Sequence, residues 1–333
     1  MNHSILFNNG EATESELVLT IGQLNFKPDF SIFIPTFNRP YLLKEALESA
    51  LNQNYNGNYE IVIIDNCSDE ENFEIVKDYI FGLNLKKNKS ISLYRCLTHS
   101  NSWNMGMLKS ISDWVVMLHD DDLLVDKHLY EVHKCISLNR EIKLLCSDSY
   151  NLIQTTQLSV LNKLFMFFKE FIKKFKNNRI IKLNVFDFYF HNPASNTGVV
   201  INRKIALEQG GFNFFKDSPI PDYAFFYRLT RDFNSTYYLN TKLSKIRFAV
   251  NDGLRKEVIQ NVRVKSDRIR QDILFNNPNF KDNDYRFRDF TLKLNEIEQS
   301  LDISYLERYI KIPFFKVYTR VVSLFVFYKS ISS

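Results

Sequence analysis

Short apolar runs alternate with helix-like segments over the first 118 residues, and this alternation constrains the fold more than any other feature. The apolar runs have the length of strands and cover residues 31–36, 60–65, 91–96 and 114–118. Apolar residues at helical spacing predict the helices between them, at residues 40–51, 70–80 and 102–112. Strands that alternate with helices predict an α/β fold with a parallel sheet and crossover helices.

Polar residues end three of these predicted strands. Thr36 and Asp65 close the first two, and Asp120, Asp121 and Asp122 directly follow the strand at 114–118. Ligands of open parallel sheets bind beyond the carboxyl ends of the strands, so we expect one crevice to gather these side chains. Three adjacent carboxylates repel one another and resist burial, which a divalent cation such as Mg²⁺ would offset. The alternative is a solvated acidic loop.

Composition limits the class of protein. The 333 residues are 45% hydrophobic, enough for a real core, and the net charge of +5 is too small to indicate a nucleic acid as partner. The four cysteines show neither metal-ligand spacing nor a disulfide-rich pattern, so they suit a reducing compartment. The first 18 residues lack the basic and apolar regions of a secretory signal, so none is expected.

The chain divides into three predicted segments. Residues 1–28 are interpreted as a polar leader, with a short strand or helix near Leu17–Ile21, and residues 251–333 as a helical extension. Between them, 29–126 would form one half of a domain and 127–250 the other. For the second half we predict two helices and four strands, at residues 204–209 and 222–231 and at residues 142–147, 197–202, 236–239 and 243–250.

Five short pieces of sequence occur in a characteristic order. They are Pro35-Thr36-Phe37-Asn38-Arg39-Pro40, Ile63-Ile64-Asp65-Asn66-Cys67-Ser68-Asp69, Asn101 with Asn104-Met105-Gly106, His119-Asp120-Asp121-Asp122, and a stretch from Thr197 through Gly210-Gly211-Phe212 to Pro221-Asp222-Tyr223. In these pieces the chain resembles glycosyltransferase family 2 from about residue 30 to residue 250. The resemblance implies the GT-A fold, a mostly parallel Rossmann-like sheet flanked by helices, here with a C-terminal helical extension.

The resemblance also implies an activity. Family members are inverting, nucleotide-sugar-dependent enzymes, and we expect a UDP-sugar donor, a saccharide or lipid-linked saccharide acceptor, and a role in bacterial cell-surface polysaccharide synthesis. The required cation would be Mn²⁺ or Mg²⁺.

Site residues carry over where this sequence matches the family. Those expected to bind the nucleotide-sugar are Pro35, Thr36, Phe37, Asn38, Arg39, Asp65, Asn104, Asp120 and Asp121. The expected metal ligands are Asp121 and Asp122. Asp222 stands in the position of the catalytic base, which would take the proton of the acceptor hydroxyl.

Three residues depart from the family pattern. His119 stands where an aspartate is usual, Pro221 replaces an acidic residue before the base, and Ala249 replaces the histidine of a later arginine-x-histidine element that keeps Arg247. Several roles also have simpler readings. Asp222 would complement a helix dipole, Asp65 would be a turn residue, and His119 would be a strand-end residue bonded to its neighbours.

Two other functions remain open from the sequence. A sugar nucleotidyltransferase would also use a doubly wound sheet and Mg²⁺, but it normally has a glycine-rich phosphate loop after the first strand, and residues 35–40 contain no glycine. A non-catalytic binding protein that keeps the fold is the second alternative.

Two segments have the pattern of helices that lie on a membrane surface. Residues 160–176 carry leucine and phenylalanine at helical spacing with lysines largely on the other face, and residues 312–330 are apolar and aromatic with a few basic residues. The uncharged run between Arg320 and Lys329 is far shorter than the roughly 20 residues that span a bilayer. We therefore expect a cytoplasmic protein in peripheral contact with the inner face of the plasma membrane. The alternative is that these segments pack on the domain.

Overall fold

The computed structural model describes residues 14–86, 88–99, 101–152, 180–188, 192–194, 196–212 and 220–247, together with four single residues between 266 and 273. The chain forms two compact units, one of residues 1–184 and 193–252 and the other of residues 185–192 and 253–333. The described part of the second unit is a 3₁₀ helix, Val185–Phe188, with Asn192, Ser266, Ile269, Asp272 and Ile273. The predicted boundary between residues 250 and 251 lies close to this division.

The first unit is built on one mixed sheet. Its described strands are β1 (Ser15–Gly22), β2 (Phe30–Thr36), β3 (Tyr59–Asp65), β4 (Lys89–Cys96), β5 (Trp114–Met117), β6 (Leu123–Leu124), β7 (Leu144–Leu152), β8 (Ile180–Leu183), β9 (Val199–Asn202) and β10 (Thr236–Arg247). Their order is β1-β4-β3-β2-β5-β9-β7-β10-β6, and β8 pairs with β10. The central strands β4, β3, β2 and β5 run parallel, as the alternation of strands and helices predicts.

The helices described in this unit connect the strands. They are α1 (Pro40–Leu51), α2 (Glu70–Phe81), α3 (Ser102–Lys109), α4 (His128–Leu138), α5 (Arg203–Glu208) and α6 (Pro221–Phe233). Pro40 opens α1, where a missing amide hydrogen costs no helix hydrogen bond. The side chains of Asp69 and Asn101 accept hydrogen bonds from backbone amides in the first turns of α2 and α3.

Both faces of the central sheet are covered, which explains why every residue of β2 and β3 is buried. Ile32, Ile34 and their neighbours on one face share a hydrophobic core with α1, α2 and α4. Phe33 points to the other face because successive side chains of a strand alternate. There it lies so close to Gly106 of α3 that an added Cβ would come within 2.4 Å of its ring. Glycine at this position therefore lets α3 approach the sheet.

Several elements differ from the sequence predictions. β1 confirms the strand alternative for the short element predicted near Leu17–Ile21, but it is an edge strand antiparallel to β4, so part of the segment interpreted as a leader belongs to the sheet. The helix α4 was not predicted. The two strands predicted at 236–239 and 243–250 form one strand, β10, whose pairing with β7 shifts register around Lys242. Irregular pairing of this kind accommodates the polar residues 240–242 without ending the strand.

The predicted membrane-surface segments, 160–176 and 312–330, lie outside the described residues. Among the helices that the structure describes, none combines the length and apolar character needed to cross a bilayer.

Candidate functional site

The carboxyl ends of three adjacent strands meet at one edge of the sheet. Thr36 ends β2 and lies in register with Asp65, which ends β3. On the other side of β2, the Thr36 hydroxyl donates a hydrogen bond of 2.9 Å to Oδ2 of Asp120, which follows β5. The structure therefore brings Thr36, Asp65 and the acidic triplet to the same edge, as expected for parallel strands.

The loop after β2 supplies a basic side chain to this edge. Arg39 precedes α1, and its Nη1 lies 3.5 Å from Oδ1 of Asp120 and 3.3 Å from Oδ2 of Asp121. One guanidinium thus partly balances two carboxylates. Asn38 adopts a left-handed conformation with φ of 52°, and its backbone amide donates to the Ser68 hydroxyl at 2.8 Å. This contact ties the loop after β2 to the loop after β3.

Pro35 and Phe37 flank Thr36 and differ in exposure. Pro35 is buried within β2. Phe37 is 44% exposed, and its ring lies roughly perpendicular to the His99 ring, at a centroid distance of 5.0 Å. Phe37 follows β2 and His99 follows β4, and β3 lies between these two strands. The two rings therefore come together near the end of β3, where Asp65 lies. An exposed aromatic face at this edge is suited to stacking against a planar ring.

The Asp65 carboxylate is almost fully buried. It accepts a hydrogen bond of 3.1 Å from the Ser68 amide and lies 3.9 Å from Nε of Arg95. Burial raises the pKa of Asp65, and the contacts with Ser68 and Arg95 oppose that rise. The Ser68 contact is the one that a turn residue would make, so the expected nucleotide contact of Asp65 stays a prediction.

The acidic triplet is buried, which excludes the solvated loop. Asp120, Asp121 and Asp122 are only 7%, 8% and 5% exposed. Burial raises the pKa of both Asp120 and Asp122, although each also accepts hydrogen bonds that act in the opposite direction. Concentrated negative charge away from water calls for a compensating positive charge.

Arg247, the last residue of β10, also holds the triplet. Its backbone amide donates to Oδ1 of Asp122 at 2.8 Å, and its Nε donates to the backbone oxygen of Asp121 at 3.0 Å. Its Nη2 lies 2.6 Å from Oε2 of Glu45 in α1. The Thr197 hydroxyl also donates to Asp122. The sequence analysis gave a part in the site neither to Thr197, although it lies in one of the five family-like pieces, nor to Glu45.

His119 joins two members of the triplet in a cluster suited to a cation. One ring nitrogen of His119 and one carboxylate oxygen each from Asp121 and Asp122 lie within 4.8 Å of one another. The Nε2 atom of His119 is buried and has no hydrogen-bond partner in the described part of the chain. A ring nitrogen close to oxygens of two buried carboxylates fits a divalent cation. Asp120, by contrast, is occupied by Thr36 and Arg39.

Asn104 has a structural role among the described residues. Its side-chain amide donates to the backbone oxygen of Phe212 at 2.8 Å, and its Oδ1 accepts from the Phe212 amide at 2.8 Å. The asparagine therefore holds the residue after Gly211 in place. Its expected contact with a nucleotide-sugar stays a prediction.

Asp222 lies in the first turn of α6, after Pro221. A line of ring contacts connects this helix to the acidic edge. Phe225 lies 4.5 Å from Phe212, Phe212 lies 5.0 Å from Trp103, and Trp103 lies 5.4 Å from His119, measured between ring centroids. Asp222 is partly exposed at the start of a helix. This position suits both a catalytic base and a residue that only complements the helix dipole.

A model of the family described as Glycosyl transferase family 2 matches residues 31–202, more than half of the chain. The chain belongs to glycosyltransferase family 2. The matched residues of this family 2 chain run from β2 to the end of β9 and contain the whole acidic triplet.

Curated relatives match shorter stretches. An uncharacterised glycosyltransferase of Haemophilus influenzae is 30% identical over 115 residues, which cover 34% of this chain and 37% of the relative. One of Methanocaldococcus jannaschii is 31% identical over 134 residues, which cover 39% and 44%. The match with this family 2 chain thus spans less than half the length of these relatives.

A solved structure shares the fold. TarS of Staphylococcus aureus (residues 1–349), crystallised in complex with UDP-GlcNAc, superposes with a TM-score of 0.52 at 16% identity, over 74% of this chain and 71% of that one. This likeness supports the fold alone, and the expected GT-A type α/β fold is confirmed.

Proposed function

We propose that the protein is an inverting glycosyltransferase that moves a sugar from a nucleoside diphosphate donor to a saccharide or lipid-linked saccharide acceptor. The observation that carries the proposal is the meeting of Thr36, Asp65 and the buried triplet at the carboxyl ends of three parallel strands. We propose a UDP-sugar as the donor, because the structurally similar TarS was crystallised with UDP-GlcNAc.

In this proposal the loop after β2 and the end of β3 bind the nucleoside. Phe37 offers an exposed ring for the base, and Asp65 offers a carboxylate for the base or ribose. Asn38 joins the two loops through Ser68 and so fixes the distance between these contacts. Arg39 adds a positive charge beside the triplet, where a diphosphate would lie.

Asp121 and Asp122 would hold a divalent cation, for which Mn²⁺ or Mg²⁺ is proposed. When bound, such a cation stabilises the negative charge that develops on a departing diphosphate. The role of the chain's own residues is to exclude water and to orient the carboxylates. Thr36, Thr197 and Arg247 do this through their hydrogen bonds to Asp120 and Asp122.

Transfer breaks the bond between the anomeric carbon and the diphosphate oxygen and forms a bond from that carbon to the acceptor oxygen. The acceptor hydroxyl loses its proton in the same step, and the Asp222 carboxylate is the proposed acceptor of that proton. Attack opposite the leaving group inverts the anomeric centre. The ring contacts from His119 to Phe225 support placing α6 beside the donor site.

The cellular role is a further part of the proposal. TarS is described as a poly(ribitol-phosphate) β-N-acetylglucosaminyltransferase, which supports a polymeric acceptor and a role in bacterial cell-surface polysaccharide synthesis. We place the protein in the cytoplasm, in peripheral contact with the inner face of the plasma membrane. The basic amphipathic pattern of residues 160–176 supports this placement.

A donor screen tests the activity without knowledge of the acceptor. The full chain is incubated with UDP-, GDP- and dTDP-sugars and Mn²⁺ or Mg²⁺, and released nucleoside diphosphate and free sugar are measured. We expect slow hydrolysis of one donor class. Release of pyrophosphate on incubation with a nucleoside triphosphate and a sugar phosphate would instead identify a sugar nucleotidyltransferase, and binding without turnover across many acceptors would identify a binding protein.

Asp222→Asn tests the proposed base. We expect turnover to fall by about 10²–10⁴-fold while UDP affinity is unchanged, because the amide cannot accept the proton. Asp232→Asn, near the end of the same helix, is the matched control and should keep full turnover. Full activity of Asp222→Asn would remove this residue as the base.

A further inference from the structure

His119 lies between β5 and the acidic triplet, at a position where the resemblance to the family implies an aspartate. An imidazole at such a place would be expected to bond to a neighbouring carbonyl or carboxylate. Instead, its Nε2 atom is buried and without a hydrogen-bond partner in the residues that the structure describes. Buried polar atoms are nearly always paired, so the His119 ring has capacity for a further ligand.

The surroundings of His119 identify the class of that ligand. A ring nitrogen and one oxygen each of Asp121 and Asp122 lie within 4.8 Å of one another. Donor atoms at about 2.1 Å from one ion are separated by at most about 4.2 Å, so small side-chain movements would close this set around a cation. A positive ion would also offset the buried charge of both carboxylates.

The imidazole is held by packing. The Trp103 ring lies 5.4 Å from the His119 ring and 5.0 Å from Phe212. Phe212 is in turn fixed by two backbone hydrogen bonds to Asn104. These contacts restrict the ring of His119 before any ligand arrives, which lowers the entropic cost of binding.

We propose that His119 is a nitrogen ligand of the cation site and that it makes the site selective for first-row transition-metal ions over Mg²⁺. The proposal deepens the proposed function, since it concerns the cation that would accompany the donor diphosphate. Mg²⁺ prefers oxygen ligands, whereas imidazole nitrogen suits transition metals, whose affinity for a mixed nitrogen and oxygen site rises from Mn²⁺ to Co²⁺. An aspartate at position 119 would give an all-oxygen set instead.

Electron spin echo spectroscopy of bound Mn²⁺ tests the ligand directly in the unaltered full chain. Protein grown with ¹⁵N-histidine and ordinary nitrogen elsewhere is compared with unlabelled protein. We expect the nitrogen coupling of bound Mn²⁺ to change from ¹⁴N to ¹⁵N on labelling. Bound Mn²⁺ with no coupling to histidine nitrogen would overturn the proposal.

A swap to the usual family residue tests selectivity. Cation affinities are measured through the fluorescence of Trp103 in a Trp114→Phe background, since these are the two tryptophans of the chain. We expect Mn²⁺ to bind at least about tenfold more tightly than Mg²⁺, and His119→Asp to reduce this ratio at least about fivefold. An unchanged ratio would contradict the proposal. His133→Asp on α4 is the control and should leave the ratio unchanged.

These measurements use the metal alone, so their outcome is separate from that of the donor screen. A histidine coupling in a protein that turns over no donor would support the ligand assignment and count against the proposed activity. Donor turnover with Mn²⁺ bound only through oxygen would leave the activity standing and remove His119 from the ligand set.

Discussion

The hydroxyl of Thr36, the last residue of β2, donates a hydrogen bond of 2.9 Å to the carboxylate of Asp120, which follows β5. The two residues are 84 positions apart in the chain, and both are buried. The bond joins the loop expected to hold the nucleoside to the loop that carries the cation cluster. The proposed donor site would therefore depend on a contact between two strand ends rather than on either loop alone.

Thr36→Val keeps the shape of the side chain and removes this hydrogen bond. We expect donor affinity to fall roughly tenfold, because a buried hydrogen bond to a charged group contributes about 1.5 kcal/mol or more. Titration calorimetry with UDP and Mn²⁺ measures the change. Thr20→Val on the edge strand β1, whose hydroxyl meets Ser92 at 3.3 Å, is the control. Equal affinities of both variants would show that the Thr36 bond has no part in the site.

Arg247 gives a second test, since it contacts the triplet through its backbone and its side chain. Arg247→Gln keeps the backbone bond to Asp122 but loses the ion pair with Glu45 and the bond from Nε to Asp121. We expect UDP affinity in the presence of Mn²⁺ to fall more in Arg247→Gln than in Glu45→Gln, which removes only the ion pair. A larger loss in Glu45→Gln would mean that the ion pair, not the bond to Asp121, holds the loop.

The parts of the fold that local pattern could predict are those with strong periodicity. The strands and helices from β2 to β5 follow from buried apolar runs and amphipathic segments, and their ends place Thr36, Asp65 and the triplet at one edge. The helix α4 was missed because Lys127 at its start offers no side-chain cap and its apolar face is short. β10 was divided in two because residues 240–242 are polar, whereas an irregular register keeps the strand whole.

The missed site residues share a physical reason. Thr197 reaches Asp122 across 75 residues of chain and Glu45 reaches Arg247 across 202, and such contacts leave no periodic signal. Asn104 shows the converse. The resemblance assigns it to the nucleotide-sugar, while the structure pairs its amide with the backbone of Phe212, 108 residues away. Only three-dimensional contacts distinguish a residue that binds the ligand from one that holds the backbone in place.

His128 in α4 predicts a pH dependence of stability. The side chain is fully buried, its Nδ1 meets the Leu243 oxygen at 3.1 Å, and burial lowers the pKa of His128 from 6.5 to about 4. The folded state favours the neutral ring of His128. Above pH 6.5 the ring is neutral in both the folded and the unfolded state, so the protein keeps its full stability. As the pH falls from 6.5 towards 4, the ring is protonated in the unfolded state first, and the free energy of unfolding decreases. Between pH 7 and pH 5 we expect a loss of roughly 2 kcal/mol from this residue.

Urea unfolding at both pH values measures that loss. His128→Gln should show a smaller decrease in unfolding free energy between pH 7 and pH 5 than the unaltered protein, since the amide does not titrate. His133→Gln, on the exposed part of the same helix, should match the unaltered protein. The same decrease in all three would exclude His128 as the cause.

Charge reversal tests the proposed membrane contact. Lys169, Lys173 and Lys174 are changed to glutamate together in the full chain, and flotation with vesicles containing phosphatidylglycerol is measured. We expect bound protein to decrease strongly, because each lysine near an anionic surface contributes about 1 kcal/mol. The same reversal at the exposed Lys127, Lys134 and Lys204 changes net charge equally and should have less effect. Equal losses would indicate attraction by overall charge alone.

The most direct test of the account is the linkage between cation and nucleotide at the acidic edge. UDP is titrated into the full chain with Mn²⁺ and then with a chelator, using the unaltered protein and Asp121→Ala. We expect Mn²⁺ to tighten UDP binding at least about tenfold, and Asp121→Ala to remove this gain but leave uridine binding unchanged. UDP binding that is equally tight without a cation, or a gain that survives in Asp121→Ala, would contradict the account.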